Sequence, residues 1–149
     1  MELILWRHAD AEDGKPDLER RLTDKGRKQA ARMAKWLRER LPKDYRLVSS
    51  PAARALQTAQ ALETPRTIDT LAPGASVREI LKAAQWPDYD GTAIVVGHQP
   101  DLGRVAAYLV SGAHVEWSLK KGALWWLSYR TRNGESQVVV RAVMSPDLL

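Results

Sequence analysis

The sequence predicts an α/β fold: a single domain built as a three-layer, open and mostly parallel sheet flanked by helices, with an antiparallel edge hairpin near the C-terminus. Three observations predict it. Strand-like and helix-like segments alternate through most of the chain, an order that pairs strands in parallel. The inner strand segments, Leu3-Ile4-Leu5-Trp6 and residues 93–97, are near-continuous apolar runs, the pattern of strands buried on both faces. After Gly112 two further strand-like runs flank Arg132-Asn133-Gly134, a hairpin turn signal.

The elements follow in order. Residues 2–6 read as the first strand, and a loop rich in Asp and Gly leads to a helix over 23–41. In that helix Ala30, Met33, Ala34, Leu37 and Leu41 keep helical spacing, while Arg27, Lys28, Arg32, Lys35 and Arg38 mostly lie around the rest of the cylinder. A second strand at 45–49 feeds a helix opened by Pro51, whose missing N–H is harmless in a first turn. Ser50 reads as its N-cap. A short strand follows at 67–69, then a helix at 77–84, the apolar strand at 93–97, and a helix from Pro100 or Asp101 to Val110. The closing strands are expected at 123–129 and 137–143. No repeat, low-complexity stretch or linker breaks the chain, so residues 1–149 are expected to form one domain.

With 149 residues, 44% of them apolar, the chain can bury one core and little else. The absence of cysteine excludes a thiolate nucleophile, a disulfide framework and a zinc ribbon. Glu2 stands where a basic leader would be, and no run approaches the roughly 20 apolar residues that span a bilayer. A cytoplasmic protein without a membrane partner is expected. The formal charge of +5 raises the question of nucleic acid, yet much of it lies on the solvated face of the first long helix. No nucleic-acid partner is expected; a modest positive field instead draws anionic substrates toward the cleft.

The chemistry lies at three strand ends. Arg7-His8 ends the first strand, Ser49-Ser50-Pro51-Ala52-Ala53-Arg54 follows the second, and Val95-Val96-Gly97-His98-Gln99-Pro100 ends the apolar strand. In open α/β sheets ligands bind at the carboxyl ends of the strands, so two histidines and two arginines are expected to converge there. That set specifies a phosphate site. Neutral His8 can attack phosphorus and carry the phosphoryl group covalently, provided one ring nitrogen is oriented by an acceptor. Arg54 lies near a helix N-terminus, already favourable for an anion, and its planar fork suits phosphate oxygens. His98 is expected to donate to the same oxygens, and fixed donors of this kind stabilise a transition state without reorganising. The third histidine, His114, reads as surface.

These residues resemble the histidine phosphatase superfamily, whose Arg-His-Gly motif appears here as Arg7-His8-Ala9. The likeness extends through Leu22-Thr23-Asp24-Lys25-Gly26, Val48-Ser49-Ser50-Pro51, Arg54-Ala55, Gln57-Thr58-Ala59, Val96-Gly97-His98-Gln99-Pro100 and Met144-Ser145-Pro146, essentially the whole chain. Alanine replaces the glycine after the histidine, which keeps a small side chain but forbids easy positive φ. Size and the run Arg7-His8-Ala9-Asp10-Ala11 look most like the SixA group of phosphohistidine phosphatases. The resemblance implies hydrolysis through phospho-His8 clamped by Arg7, Arg54 and His98, with no cofactor, no metal and inorganic phosphate as product. The chain has no room for the cap insertions of the mutase and acid phosphatase branches. Where mutases place a glutamate it reads Asp69-Thr70-Leu71-Ala72-Pro73.

A missing proton donor suits phosphohistidine, whose imidazole leaves readily, and an open site admits a histidine-phosphorylated protein domain as partner. Asp10, Asp17, Arg20 and Ser50 are further candidates for substrate binding, the two aspartates as acids or water positioners and Arg20 as charge at the rim. Two alternatives stand beside this reading. One is a broad phosphomonoesterase acting on small phosphorylated substrates; the other is a non-catalytic module that binds phosphate groups. Six tryptophans against no phenylalanine default to core packing, with Trp125 and Trp126 on opposite sides of one strand.

Overall fold

The computed structural model describes all residues, 1–149. Six strands form one sheet: β1 (Glu2–Arg7), β2 (Arg46–Ser49), β3 (Arg66–Thr67), β4 (Thr92–Gly97), β5 (Leu124–Arg132) and β6 (Glu135–Met144), in the order β3-β2-β4-β1-β5-β6. The first four run parallel, and β5 and β6 close the sheet as an antiparallel pair. Four helices cover it: α1 (Asp24–Arg38), α2 (Ala53–Gln60), α3 (Val77–Ala84) and α4 (Asp101–Ser111).

Side-chain alternation along β1 divides the core into the expected layers. Leu3 and Leu5 pack with Ile80, Leu102 and Val105 from α3 and α4, whereas Ile4 and Trp6 pack with Met33, Leu37 and Ala55 from α1 and α2. Trp125 and Trp126 fall on these two opposite sides. Every residue of β4 is buried, as a strand covered on both faces must be.

Several boundaries differ from the sequence reading. Thr23 is the N-cap of α1, its hydroxyl accepting from the Gly26 N–H, and the helix ends at Arg38 because Pro42 disfavours helical backbone at Leu41. Ser50 is not an N-cap. Helix α2 begins at Ala53 with Ala52 in the cap position and no side-chain cap; the Ser50 oxygen lies two residues too early, accepting the Ala52 N–H and meeting His98. At the sheet edge β3 covers only Arg66–Thr67, and Asp69–Leu71 coils into a 3-10 turn. The hairpin turns through Asn133 (φ 53°) and Gly134 (φ 78°), two positive φ values that match strand twist and lengthen both strands beyond expectation.

Two close approaches hold the loops that frame the sheet's carboxyl end. A Cβ on Gly26 would lie 1.9 Å from the main-chain oxygen of Asp10, and one on Gly103 would lie 1.8 Å from that of Trp117. Only glycine lets α1 and α4 seat so near these segments. No helix is long and apolar enough to cross a membrane.

Candidate active site

Parallel register brings the two histidines side by side. Arg7 pairs with Gly97 at the ends of β1 and β4, the His8 N–H donates to the Gly97 carbonyl at 3.0 Å, and the two imidazole centroids lie 5.3 Å apart. Both rings are buried, His8 at 7% exposure and His98 at 3%. His8 Nδ1 lies 2.7 Å from the carbonyl oxygen of Ala9. A carbonyl only accepts, so Nδ1 carries the proton and Nε2 keeps its lone pair.

Four cations surround that ring. Arg7, Arg20, Arg54 and Lys121 line an open cleft of about 210 Å³ together with His8, His98, Ala11, Asp13, Pro73 and Gln99. Arg7 anchors its Nη1 on the Leu119 carbonyl at 2.7 Å. Arg54 is anchored on Asp17, which projects from the 3-10 turn Asp17–Glu19, and Arg20 donates to the same carboxylate at 3.0 Å. Three buried nitrogens in this group have no hydrogen-bond partner: Arg7 Nε, Arg54 Nε and His98 Nδ1. Buried polar nitrogens left unmatched are costly, and all three belong to side chains that line this cleft.

Electrostatics keep both rings neutral. Burial, with the nearby charges of Arg54, Arg7 and Arg20, pushes His8 down to about 4 against the opposing pull of the Ala9 carbonyl. Burial likewise takes His98 down to about 3, helped by His8 and Arg54. Desolvation lowers the Arg7 guanidinium from its ordinary value too. Partial burial would raise the Asp17 carboxyl, but hydrogen bonds and charge from Arg54 and Arg20 outweigh it and hold the acid below the usual range.

The residues expected from sequence thus divide. Arg7, His8, Arg20, Arg54 and His98 line one cleft. Asp17 reaches it through Arg54 and Arg20, and Ser50 lies behind His98, fully buried and out of reach of a ligand. Asp10 is not in the lining. Its carboxylate accepts from Thr23 at 2.7 Å and pairs with Lys121 at 3.0 Å, which lowers its pKa and makes it a brace for the loop after β1. Sequence reasoning missed Asp13, Gln99 and Lys121. Lys121 carried no signal in the sequence: it is placed by the next residue, Gly122, whose N–H donates to the His8 carbonyl at 2.9 Å and whose carbonyl accepts from the Trp6 indole.

Ala9 fits without strain. It holds an ordinary negative φ, its N–H donates to Thr58 Oγ1 at 3.0 Å, and its methyl group packs on Leu22 and Ala30, away from the cleft.

Comparison with known proteins identifies the family and the fold. Residues 3–93 match the family model of the histidine phosphatase superfamily, branch 1. An uncharacterized protein of Picosynechococcus sp. is 34% identical, the match covering 83% of this chain and 82% of that one. Among solved structures, the protein histidine phosphatase SixA complexed with tungstate superposes with a TM-score of 0.84 at 24% identity, over 99% of both chains. A protein of Nakamurella multipartitia, named as a candidate phosphohistidine phosphatase SixA, superposes at 0.82 with 30% identity, over 97% of this chain and 95% of that one.

Proposed function

The chain belongs to the histidine phosphatase superfamily, and from that membership we propose that it is a cytoplasmic phosphatase that takes the phosphoryl group from phosphohistidine on a protein through a covalent phospho-His8. One observation carries the reading. The His8 ring is locked by the Ala9 carbonyl with an unprotonated Nε2, in a cleft lined by Arg7, Arg20, Arg54 and Lys121.

The reaction follows from that geometry. The Nε2 lone pair attacks phosphorus in line, the bond from phosphorus to the leaving imidazole nitrogen breaks, and the imidazole takes its proton from water. The arginines and His98 hold the three equatorial oxygens as charge shifts among them. Water then attacks phospho-His8, releasing inorganic phosphate and restoring the neutral ring. Membership in the family and the similarity to SixA structures support the substrate class. So does the segment after β3, which contributes only Pro73 to the cleft and no carboxyl group.

A second reading rests on Asp13, the one carboxylate in the cleft lining. A protonated Asp13 would assist an alkoxide leaving group and make the protein a broader phosphomonoesterase. The ordinary negative φ of Ala9 gives no support to a module that binds phosphate without chemistry.

Brief incubation with a phosphohistidine-carrying protein and, separately, with a small phosphomonoester, followed by intact-mass and acid-labile phosphate analysis, tests the proposal. Wild type should gain one phosphoryl mass transiently and His8→Ala none, with the phosphohistidine donor preferred. Preference for the ester would move the assignment to the second reading. Phosphate binding without labelling by either donor would overturn both.

A further inference from the structure

We infer that Ser50 is a positioning residue that sets the tautomer of His98, giving its one hydroxyl hydrogen to Nε2 so that the ring proton resides on Nδ1, aimed at the bound oxyanion.

The hydrogen count around Ser50 carries this. Its Oγ lies 2.7 Å from His98 Nε2 and accepts the Ala52 N–H at 3.1 Å, and the residue has no exposed surface. The hydroxyl has no other partner. Were Nε2 the donor, Ser50 would receive two N–H groups while its own hydrogen, sealed from water, had no acceptor. Donation from Ser50 to Nε2 satisfies both Oγ and Nε2, and the proton is then left on Nδ1.

Nδ1 is the nitrogen that matters to a ligand. It is the buried His98 atom without a protein partner, in a group with the unmatched Nε atoms of Arg7 and Arg54. With a hydrogen it joins them as a third donor; with a lone pair it would repel a phosphoryl oxygen. Ser50 itself cannot touch substrate. Its effect on catalysis rests on the phosphatase reading above, whereas its effect on the tautomer does not.

The test is separable in the same way. Long-range nitrogen–proton correlation spectra of the histidine rings, recorded on wild-type protein at neutral pH, should show His98 protonated on Nδ1 and bare on Nε2. Ser50→Ala should give a mixture of tautomers and weaken inorganic phosphate by roughly tenfold, and Ser50→Thr, which keeps the hydroxyl, should restore both. Wild-type His98 carrying its proton on Nε2 would overturn the inference, as would a Ser50→Ala spectrum identical to wild type. The wild-type spectrum decides even if Ser50→Ala fails to fold. An Nδ1 proton in a protein that never accepts a phosphoryl group supports the inference and counts against the phosphatase reading alone.

Discussion

Arg54 gives two of its donors to Asp17: Nη1 reaches the main-chain carbonyl at 2.8 Å and Nη2 the carboxylate at 3.1 Å. The arginine side chain is 4% exposed and the aspartate side chain 57%, so a nearly buried cation is held by a partner on the surface. Two consequences oppose each other. The carbonyl fixes the guanidinium plane, but the carboxylate places a negative charge next to the one an incoming phosphoryl group brings.

Asp17→Asn keeps the fixing bond and removes the charge. It should therefore tighten inorganic phosphate by about threefold to tenfold, the size expected of one screened like-charge interaction near a surface. Isothermal titration calorimetry at two ionic strengths checks this, and the gain should shrink as salt rises.

Neutral histidines make both stability and activity depend on acid. The folded values of about 4 for His8 and about 3 for His98 lie below the unfolded value of 6.5, so between these limits the unfolded chain binds more protons than the folded one. Stability is then fully present above pH 6.5 and is lost as pH falls toward 4 and 3, by several kcal/mol for the pair. Urea unfolding between pH 7 and 4 should show the decline. His8→Gln with His98→Gln should flatten it. In the folded protein the His8 ring resonances should not titrate near pH 6.5, because Nε2 stays free well below neutrality.

Ala9→Gly restores the residue of the family motif and should bring no gain in labelling, because the backbone at Ala9 already has a permitted φ. It should cost about 1 to 2 kcal/mol of stability through the lost methyl packing on Leu22 and Ala30 and the added freedom of the unfolded chain. Chemical denaturation beside the intact-mass assay separates the two effects.

Gly26→Ala should be far more damaging. Its new Cβ would sit 1.9 Å from the Asp10 oxygen, a main-chain atom that cannot rotate aside, so helix α1 and the loop after β1 must part. A loss of about 3 kcal/mol or more is expected. Surviving folded protein should bind phosphate weakly, since that loop also carries Arg20 and the Asp17 carbonyl that fixes Arg54.

Much of this was legible beforehand because buried strands and helix faces impose periodicities that packing preserves. The apolar runs of β1 and β4, the helical spacing of α1 and the Asn133-Gly134 turn all read directly. Arg7, His8, Arg54 and His98 were legible for a related reason: each stands at or just past a strand end, where parallel register does the assembling. What escaped depends on loops. Lys121 reaches the cleft only because β5 returns antiparallel beside β1, and Asp13 only because the loop folds back over His8. Asp10 and Ser50 were misjudged in the same way, since hydrogen-bond partners far along the chain, Thr23, Lys121 and His98, draw them out of the lining.

Strand β1 is made long before either of its neighbours. It pairs with residues 92–97 on one side and 124–128 on the other, so nothing made before residue 92 can seat it. The strand that leads to His8 is an apolar ribbon with both edges open until those partners are made, the condition under which nascent chains are prone to aggregate. Such non-local pairing also predicts slow refolding for a domain of this size. A chain truncated before residue 124 retains His8, Arg54 and His98 yet lacks the strand that completes their frame.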